Sequence, residues 1–147
     1  MAKLYGGSRS DVLNGTSAAD TLFGGGGRDF LSGRGGTDSA VGGSGNDSID
    51  GGDGSDRIFG GEGTDRLTGA AGDDRVYGGS GNDTVMTGSG GGTADGGSGV
   101  DLYVATQWLH EDQKQIAACL DLPPEKLPQT NEDMKNLLDR NSRWLKK

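Results

Sequence analysis

The sequence has little of what an ordinary globular core or a membrane segment requires. It contains one cysteine (Cys119), three prolines and eight aromatic residues among 147, so no internal disulfide can form. No apolar run is long enough to span a membrane, and the N-terminal stretch MAKLYGGSRS has no hydrophobic segment typical of a cleaved signal peptide. The fold must therefore be stabilised by something other than disulfides or a large apolar core.

The motifs of common hydrolases are also missing. There is no HExxH zinc motif. No GxSxG elbow is present either, because the position of its second glycine is occupied after each Gly-x-Ser stretch by another residue: Ser10, Ala19, Asn46, Asn82 or Val100. The single histidine, His110, is followed by Glu111 and Asp112 in a polar stretch, which is typical of a solvated surface. We expect no catalytic residues and no enzymatic activity.

What the chain has instead is glycine in a strict repeat. All 31 glycines precede Val100, and from Gly6 to Val104 the sequence divides into eleven nonapeptides of the type GGSGNDSID without insertion or deletion. A flexible Gly/Ser-rich linker is the alternative, but a linker has no reason to keep other residue types in phase.

Two positions of the unit carry the pattern. The eighth position is apolar or aromatic in all eleven repeats. The sixth position is aspartate in ten of them, and Gly92 is the exception. The ten aspartates are Asp11, Asp20, Asp29, Asp38, Asp47, Asp56, Asp65, Asp74, Asp83 and Asp101.

The repeat predicts an all-β fold. Glycines at the first, second and fourth positions favour a turn over the first six residues, and the last three residues form a short strand around the apolar eighth position. One such strand buries almost nothing, so copies must stack. Two nonapeptides then make a coil of eighteen residues, and coils stack ~4.8 Å apart into a parallel β-roll (a β-solenoid) with a thin core between two sheets.

Stacking places aspartates eighteen residues apart in two columns. The odd column is Asp11, Asp29, Asp47, Asp65, Asp83 and Asp101; the even column is Asp20, Asp38, Asp56 and Asp74, and ends at Gly92. Carboxylates at this spacing repel one another, so a cation is expected between them. Carboxylate and carbonyl oxygens fit calcium better than magnesium, which demands stricter octahedral geometry. All ten aspartates are therefore candidate metal ligands.

This pattern, GGxGxD followed by x, an apolar residue and x, resembles the RTX (repeats-in-toxin) calcium-binding nonapeptides. The resemblance covers residues 6–104 and implies a right-handed parallel β-roll that binds several calcium ions, about five to eight here by the number of gaps between aspartates. Similar repeats form C-terminal domains of proteases, lipases and epimerases exported through type I secretion machinery. It therefore also implies a secreted, extracellular protein with an uncleaved C-terminal signal.

The net negative charge of the chain comes from residues 1–104, which contain the repeats. Residues 1–104 carry fifteen acidic and seven basic side chains, and residues 105–147 carry seven of each. High charge with low hydrophobicity predicts disorder without metal, and metal binding then supplies folding energy. We expect a calcium-binding module that folds outside the cell, where calcium is high, and no nucleic-acid partner.

The ends of the chain are of a different kind. Residues 1–5 form a short lead-in, and residues 105–147 contain two amphipathic helical patterns separated by Pro123 and Pro124. Thr130 is a candidate N-cap for the second helix, with Asp133 three residues on. These helices form either a cap over the end of the roll or a secretion signal, and the two roles are compatible.

Two other functions stay open. Arg57 and Arg75 fall one coil apart on the same predicted sheet; they either offset aspartate charge or meet an acidic polysaccharide, as in the repeat modules of alginate epimerases. The chain is then a carbohydrate-binding or adhesive module. Alternatively, it is the detached C-terminal domain of a larger secreted protease, lipase or epimerase.

Overall fold

The computed structural model describes residues 1–104. The predicted helical cap or secretion signal, 105–147, lies outside the described residues. Within them the chain forms twelve short strands and no helix. The strands are β1 (Lys3–Tyr5), β2 (Val12–Asn14), β3 (Thr21–Gly26), β4 (Phe30–Ser32), β5 (Ser39–Ser44), β6 (Ser48–Asp53), β7 (Arg57–Glu62), β8 (Arg66–Ala71), β9 (Arg75–Ser80), β10 (Thr84–Met86), β11 (Thr93–Ser98) and β12 (Leu102–Tyr103).

The strands form two six-stranded parallel sheets. The first has the order β1-β3-β5-β7-β9-β11 and the second β12-β10-β8-β6-β4-β2. Every pairing joins residues eighteen apart, as in Ile58 with Val76 and Ile49 with Leu67. The prediction of an all-β parallel β-solenoid with eighteen residues per coil is confirmed. Strand β1 adds one further rung before the first nonapeptide, since Leu4 pairs with Leu22.

The strands are longer than the sequence analysis predicted. Seven of them have six residues, and each runs through the ninth position into the first three residues of the next repeat. In β6, for example, Gly52 and Asp53 continue the ladder to Ala70 and Ala71 of β8. The prediction that the first six residues of each unit form a turn is therefore wrong for the first three residues of seven units, because these residues pair between coils.

Eighth-position side chains make the core. Eight of them are at most 2% exposed: Leu22, Leu31, Ala40, Ile49, Ile58, Leu67, Val76 and Val85. Leu4 and Leu13 pack against this cluster from the first coil. Ala94 and Tyr103 were predicted to join the core but are exposed, because they belong to the last coil of residues 1–104 and only the preceding coil lies within that range.

The core is thin for a fold of this length. Full burial of an aliphatic side chain contributes about 1.5–3 kcal/mol, and few such residues are present, so coil-to-coil polar contacts must stabilise much of the solenoid.

Among residues 1–104, no helix is long and apolar enough to cross a membrane.

Candidate metal centre

The turns place ten aspartates in the two predicted columns. Each aspartate stands immediately before a strand, at the end of a turn, and its side chain points into the solenoid. Eight of them, Asp20, Asp29, Asp38, Asp47, Asp56, Asp65, Asp74 and Asp83, are at most 3% exposed, whereas Asp11 and Asp101 at the ends of the odd column are partly exposed. Eight buried carboxyl groups are unusual in a small fold unless each is hydrogen-bonded or paired with a cation.

One oxygen of each carboxyl group after Asp11 joins neighbouring coils. In the odd column the Asp47 N–H donates to Oδ1 of Asp65 at 2.8 Å, and in the even column the Asp56 N–H donates to Oδ1 of Asp74 at 2.9 Å. Eight bonds of this kind, between 2.6 and 3.0 Å long, follow the two columns. The Oδ1 atoms thus act as backbone acceptors that fix the orientation of the carboxyl groups.

The second oxygen has no such partner. Seven buried Oδ2 atoms accept no hydrogen bond from residues 1–104, namely those of Asp29, Asp38, Asp47, Asp56, Asp65, Asp74 and Asp83. A buried oxygen that accepts nothing costs about 1–3 kcal/mol, and more when it is charged. The same oxygen lacks a hydrogen bond in seven successive turns, which indicates that it is a ligand position.

Each of these Oδ2 atoms lies against a first-position glycine and faces a carbonyl of the next coil. A Cβ added to Gly60 would lie 2.3 Å from Oδ2 of Asp65 and 2.5 Å from the carbonyl oxygen of Gly78. The same arrangement occurs at all seven aspartates, with Gly24, Gly33, Gly42, Gly51, Gly60, Gly69 and Gly78 as the glycines. We call each such space a cradle. Two acceptors converge in every cradle without a donor, which suits a positive charge.

Burial changes the acidity of the central aspartates. Desolvation raises the pKa of Asp56 and of Asp65 to about 6, opposed by the backbone N–H bond and reinforced by neighbouring carboxylates. It also raises the pKa of Asp38, Asp47, Asp74 and Asp83. Ionising these groups is less favourable in the metal-free solenoid than in water, and a bound cation would stabilise their charged forms.

The first two turns are built differently. Oδ2 of Asp11 accepts the Gly7 N–H at 2.7 Å, and Oδ2 of Asp20 accepts both the backbone N–H and the hydroxyl of Thr16. The pKa of Asp20 is lowered, chiefly because the Ala2 N–H donates to its Oδ1. Both turns satisfy the oxygen that the later turns leave without a partner.

Gly92 interrupts the even column on one side only. The Asp74 N–H lacks the carboxylate that Asp20, Asp38 and Asp56 find in the next coil. Oδ2 of Asp74 nevertheless keeps its cradle, since a Cβ on Gly69 would lie 2.4 Å from it and 2.6 Å from the carbonyl oxygen of Thr87. The gap that follows Asp74 therefore lacks a second carboxylate but keeps Oδ2 of Asp74 and the carbonyl oxygen of Thr87.

The donor set fits a hard cation held largely by backbone. Within residues 1–104 no three acidic, histidine or cysteine side chains converge on one point, so each gap offers at most two carboxylates. Calcium takes six to eight oxygen ligands and accepts backbone carbonyls among them. The residues present thus fit calcium, with carbonyl oxygens completing the coordination.

The sequence predicted the ten aspartates as candidate ligands. It did not predict that Oδ1 accepts a backbone N–H while Oδ2 of the buried aspartates is left without a hydrogen bond, because a sequence does not distinguish the two oxygens of a carboxylate. It also missed that Thr16 supplies a hydroxyl to Asp20. Arg34 and Ala70 adopt positive φ angles of 74° and 80° in place of the second-position glycine. Thr16 and the missing glycines at 34 and 70 are visible departures from the repeat, and they are the signal that marks atypical turns.

Three overlapping stretches of the chain, 5–40, 32–67 and 59–94, match the protein-family model described as "RTX calcium-binding nonapeptide repeat (4 copies)". They span well over half of the chain. The chain belongs to the RTX calcium-binding repeat family. No curated protein and no solved structure is significantly similar to it.

Membership gives the columns their general chemistry. RTX nonapeptide repeats bind calcium, and the repeats and the solenoid they form are not catalytic by themselves. The RTX turns of this chain thus combine a calcium-binding sequence pattern with seven cradles whose geometry suits a cation.

Proposed function

We propose that the RTX solenoid of this chain is a non-catalytic folding module of a secreted protein, ordered by about seven calcium ions. The observation that carries the proposal is the set of seven buried Oδ2 atoms without a hydrogen-bond partner. In each gap, one carboxylate Oδ2 and a carbonyl of the next coil are ligands, and the aspartate of that next coil is a second carboxylate where it is present. The ten sixth-position aspartates are the proposed ligand residues, and the seven beside cradles form the strong sites.

Each residue type in a gap has its own task. The backbone N–H bond to Oδ1 orients a carboxyl group before any ion arrives, so Oδ2 of Asp47 already faces the Gly60 carbonyl. The first-position glycine leaves the space that a Cβ would fill. Calcium supplies the positive charge that lets buried carboxylates ionise and that links successive coils.

The charge distribution supports a folding switch. Residues 1–104 hold fifteen acidic and seven basic side chains, and the core contains only eight buried aliphatic residues. A chain of this kind stays expanded where calcium is scarce and folds where calcium is plentiful. That behaviour suits export in an unfolded form through a type I channel, followed by folding outside the cell. Residues 105–147 are the proposed cap or secretion signal.

Far-ultraviolet circular dichroism tests this proposal. In excess chelator the full chain lacks the sheet signal, and titration with calcium restores it cooperatively. Magnesium at the same concentration is the matched control and restores much less, because it tolerates the irregular carbonyl-rich geometry poorly. A strong sheet signal in chelator that calcium leaves unchanged would show that the solenoid does not need the ion.

A second candidate, binding of an acidic polysaccharide, is favoured by one observation. Arg57 and Arg75 are register neighbours on the first sheet, and within residues 1–104 neither forms an ion pair. Adjacent like charges on one face are unfavourable, so an anionic partner relieves them. Next to them the rings of Phe59 and Tyr77 stack at 4.9 Å and add an apolar border.

Binding of a soluble polyuronate by the calcium-loaded chain tests this second function. The double variant Arg57→Gln, Arg75→Gln loses binding, and Arg66→Gln on the other sheet is the matched control that keeps it. Equal binding by both variants, or none by the unaltered chain, removes the polysaccharide from consideration without affecting the calcium proposal.

A further inference from the structure

Asn14 and Gly15 form the only Asn–Gly pair in the sequence. An asparagine before glycine is chemically labile, because glycine has no side chain to shield its backbone nitrogen from the asparagine side chain. The other asparagines precede larger residues: aspartate at Asn46 and Asn82, and glutamate, leucine and serine in the C-terminal part. One position in the chain thus has the sequence for rapid loss of the side-chain amide.

The fold holds the nitrogen that would react. The Gly15 N–H donates to the carbonyl oxygen of Ser32 at 2.8 Å, and Gly15 is buried although Asn14 is exposed. Asn14 is the last residue of β2 and pairs with Ser32 of β4. The coil beneath also packs tightly, since a Cβ on Gly15 would lie 2.6 Å from the carbonyl oxygen of Gly33.

We propose that Asn14 is a deamidation site which folding of the solenoid closes and unfolding opens. In the reaction the deprotonated Gly15 nitrogen attacks Cγ of Asn14, the new N–C bond forms, and ammonia leaves with the side-chain nitrogen. Water then opens the five-membered succinimide at one of its two carbonyls and gives aspartate or isoaspartate. Ring closure requires Asn14 to leave the extended ψ of a strand and Gly15 to release Ser32.

The product records time spent unfolded. Isoaspartate carries one additional methylene in the main chain, so the pairing of position 14 with Ser32 and the Gly15 hydrogen bond to Ser32 are both lost. Gly15 begins the turn that presents Asp20. The modified chain therefore refolds with a damaged first even turn, while the seven cradles, which lie further along the chain, stay intact.

Two other asparagines serve as internal controls. Oδ1 of Asn46 accepts the Thr64 N–H at 2.9 Å, and Oδ1 of Asn82 accepts the Val100 N–H at the same distance. The nitrogen that follows each is also bonded, for example that of Asp47 to Oδ1 of Asp65. Both sites remain slow in either state, because the following aspartate side chain hinders attack.

Mass spectrometry of tryptic peptides tests the inference on the full chain. Cleavage at Arg9 and Arg28 releases Asn14 without Asn46 or Asn82. Samples are aged at mildly alkaline pH in calcium, in chelator and in urea. In urea Asn14 gains the mass of deamidation about tenfold faster or more than in calcium, the protection expected of a hydrogen-bonded strand that opens occasionally. An Asn14→Gln variant, which forms the ring slowly, is the control for the peptide.

The chelator arm alone rests on the proposed function. Fast deamidation in urea and slow deamidation in both calcium and chelator supports the closed site and counts against calcium-driven folding. Equal rates at Asn14 in calcium and in urea, with the chain folded in calcium by circular dichroism, overturn the inference whatever the ion does. Equal rates at Asn14 and Asn46 in urea overturn it as well.

Discussion

The first two turns of the solenoid and the next seven turns carry aspartate at the same position, and their carboxyl groups differ in what they contact. Oδ2 of Asp11 and of Asp20 accepts N–H groups of its own turn. Oδ2 of Asp65 accepts nothing and faces the carbonyl oxygen of Gly78. An early turn is closed by its own hydrogen bonds, and a later turn is left for a cation to close.

The fourth position of the repeat accompanies this difference. Gly63, at the fourth position, has a φ of +128°. Arg9 and Ala18 occupy the same position in the first two repeats, and neither of them has a positive φ. A carbonyl of the next coil also lies beside Gly6 and Gly15, so the two kinds of turn differ in whether Oδ2 accepts an N–H of its own turn. The difference between the two kinds of turn can be tested by substitutions at matched positions.

The largest effect is expected for Gly63→Ala. The new Cβ would lie 1.9 Å from the carbonyl oxygen of Gly45, and a φ of +128° is closed to alanine, so a cost of at least about 3 kcal/mol is expected. Thermal unfolding in calcium measures it. Arg9→Ala is the matched control and leaves stability nearly unchanged. A small effect at Gly63 would mean that the later turns do not need their special backbone.

Next is Asp65→Ala, compared with Asp11→Ala. Asp65 accepts the Asp47 N–H and carries a free Oδ2, so its loss removes a brace and a ligand of two gaps. The calcium concentration at the folding midpoint should rise at least tenfold or so, the lower range for loss of a metal-site group. Asp11→Ala changes it little.

Asp65→Asn separates the two roles, because the amide oxygen still accepts the Asp47 N–H while the charge is gone. Its midpoint should lie close to that of Asp65→Ala. A midpoint near that of the unaltered chain would assign Asp65 to bracing alone, and equal effects of Asp11→Ala and Asp65→Ala would contradict the proposed difference between the turns.

The pH dependence in chelator should differ in sign between the two kinds of turn. Burial raises the pKa of Asp56 and Asp65 from 3.8 to about 6. Their protonated forms therefore stabilise the metal-free solenoid fully below about 3.8, and this contribution is lost as the pH rises through 6. A protonated Oδ2 also donates to the carbonyl it faces, so the proton replaces the cation.

Asp20 acts in the opposite direction. Its pKa is lowered by the Ala2 and Thr16 hydrogen bonds, so it stabilises the fold above 3.8 and loses that contribution as the pH falls. Six aspartates are raised and one is lowered, so the sheet signal in chelator should increase when the pH is lowered from 7 to between 4 and 5. Circular dichroism measures it, with an Asp56→Asn, Asp65→Asn variant as control. A signal that only falls with acid would contradict the burial of ionised groups.

The smallest effect concerns two later turns that depart from their neighbours. Ala70 and Arg34 hold positive φ angles of 80° and 74°, at a cost of about 1–2 kcal/mol each. Replacing Ala70 by glycine removes that strain but loses about 0.5–1 kcal/mol to backbone entropy, so Ala70→Gly should stabilise the fold by up to about 1 kcal/mol. Chemical unfolding in calcium measures the change, and Ala71→Gly is the control, expected to destabilise.

The sequence was sufficient for the solenoid because its period constrains every coil alike. Strict phase from Gly6 to Val104 predicted the two sheets, the register of eighteen and the columns that contain Asp47 and Asp56. It failed where residues of equal type meet different surroundings. Tyr103 occupies the same repeat position as the core residues but is exposed, because no following coil lies within residues 1–104. Asp11 repeats the ligand position, but its Oδ2 accepts an N–H of its own turn; Arg9 in place of the fourth-position glycine is the departure that marks this turn in the sequence.

The number of calcium ions on the folded chain tests the central claim most directly. Native mass spectrometry, supported by calorimetric titration, should find seven tightly bound ions, one for each Oδ2 without a partner. They should bind in the same transition that forms the sheets. A folded chain that binds no calcium, or that binds ions only weakly after it has folded, would contradict the assignment of the seven cradles as the sites that hold the solenoid together.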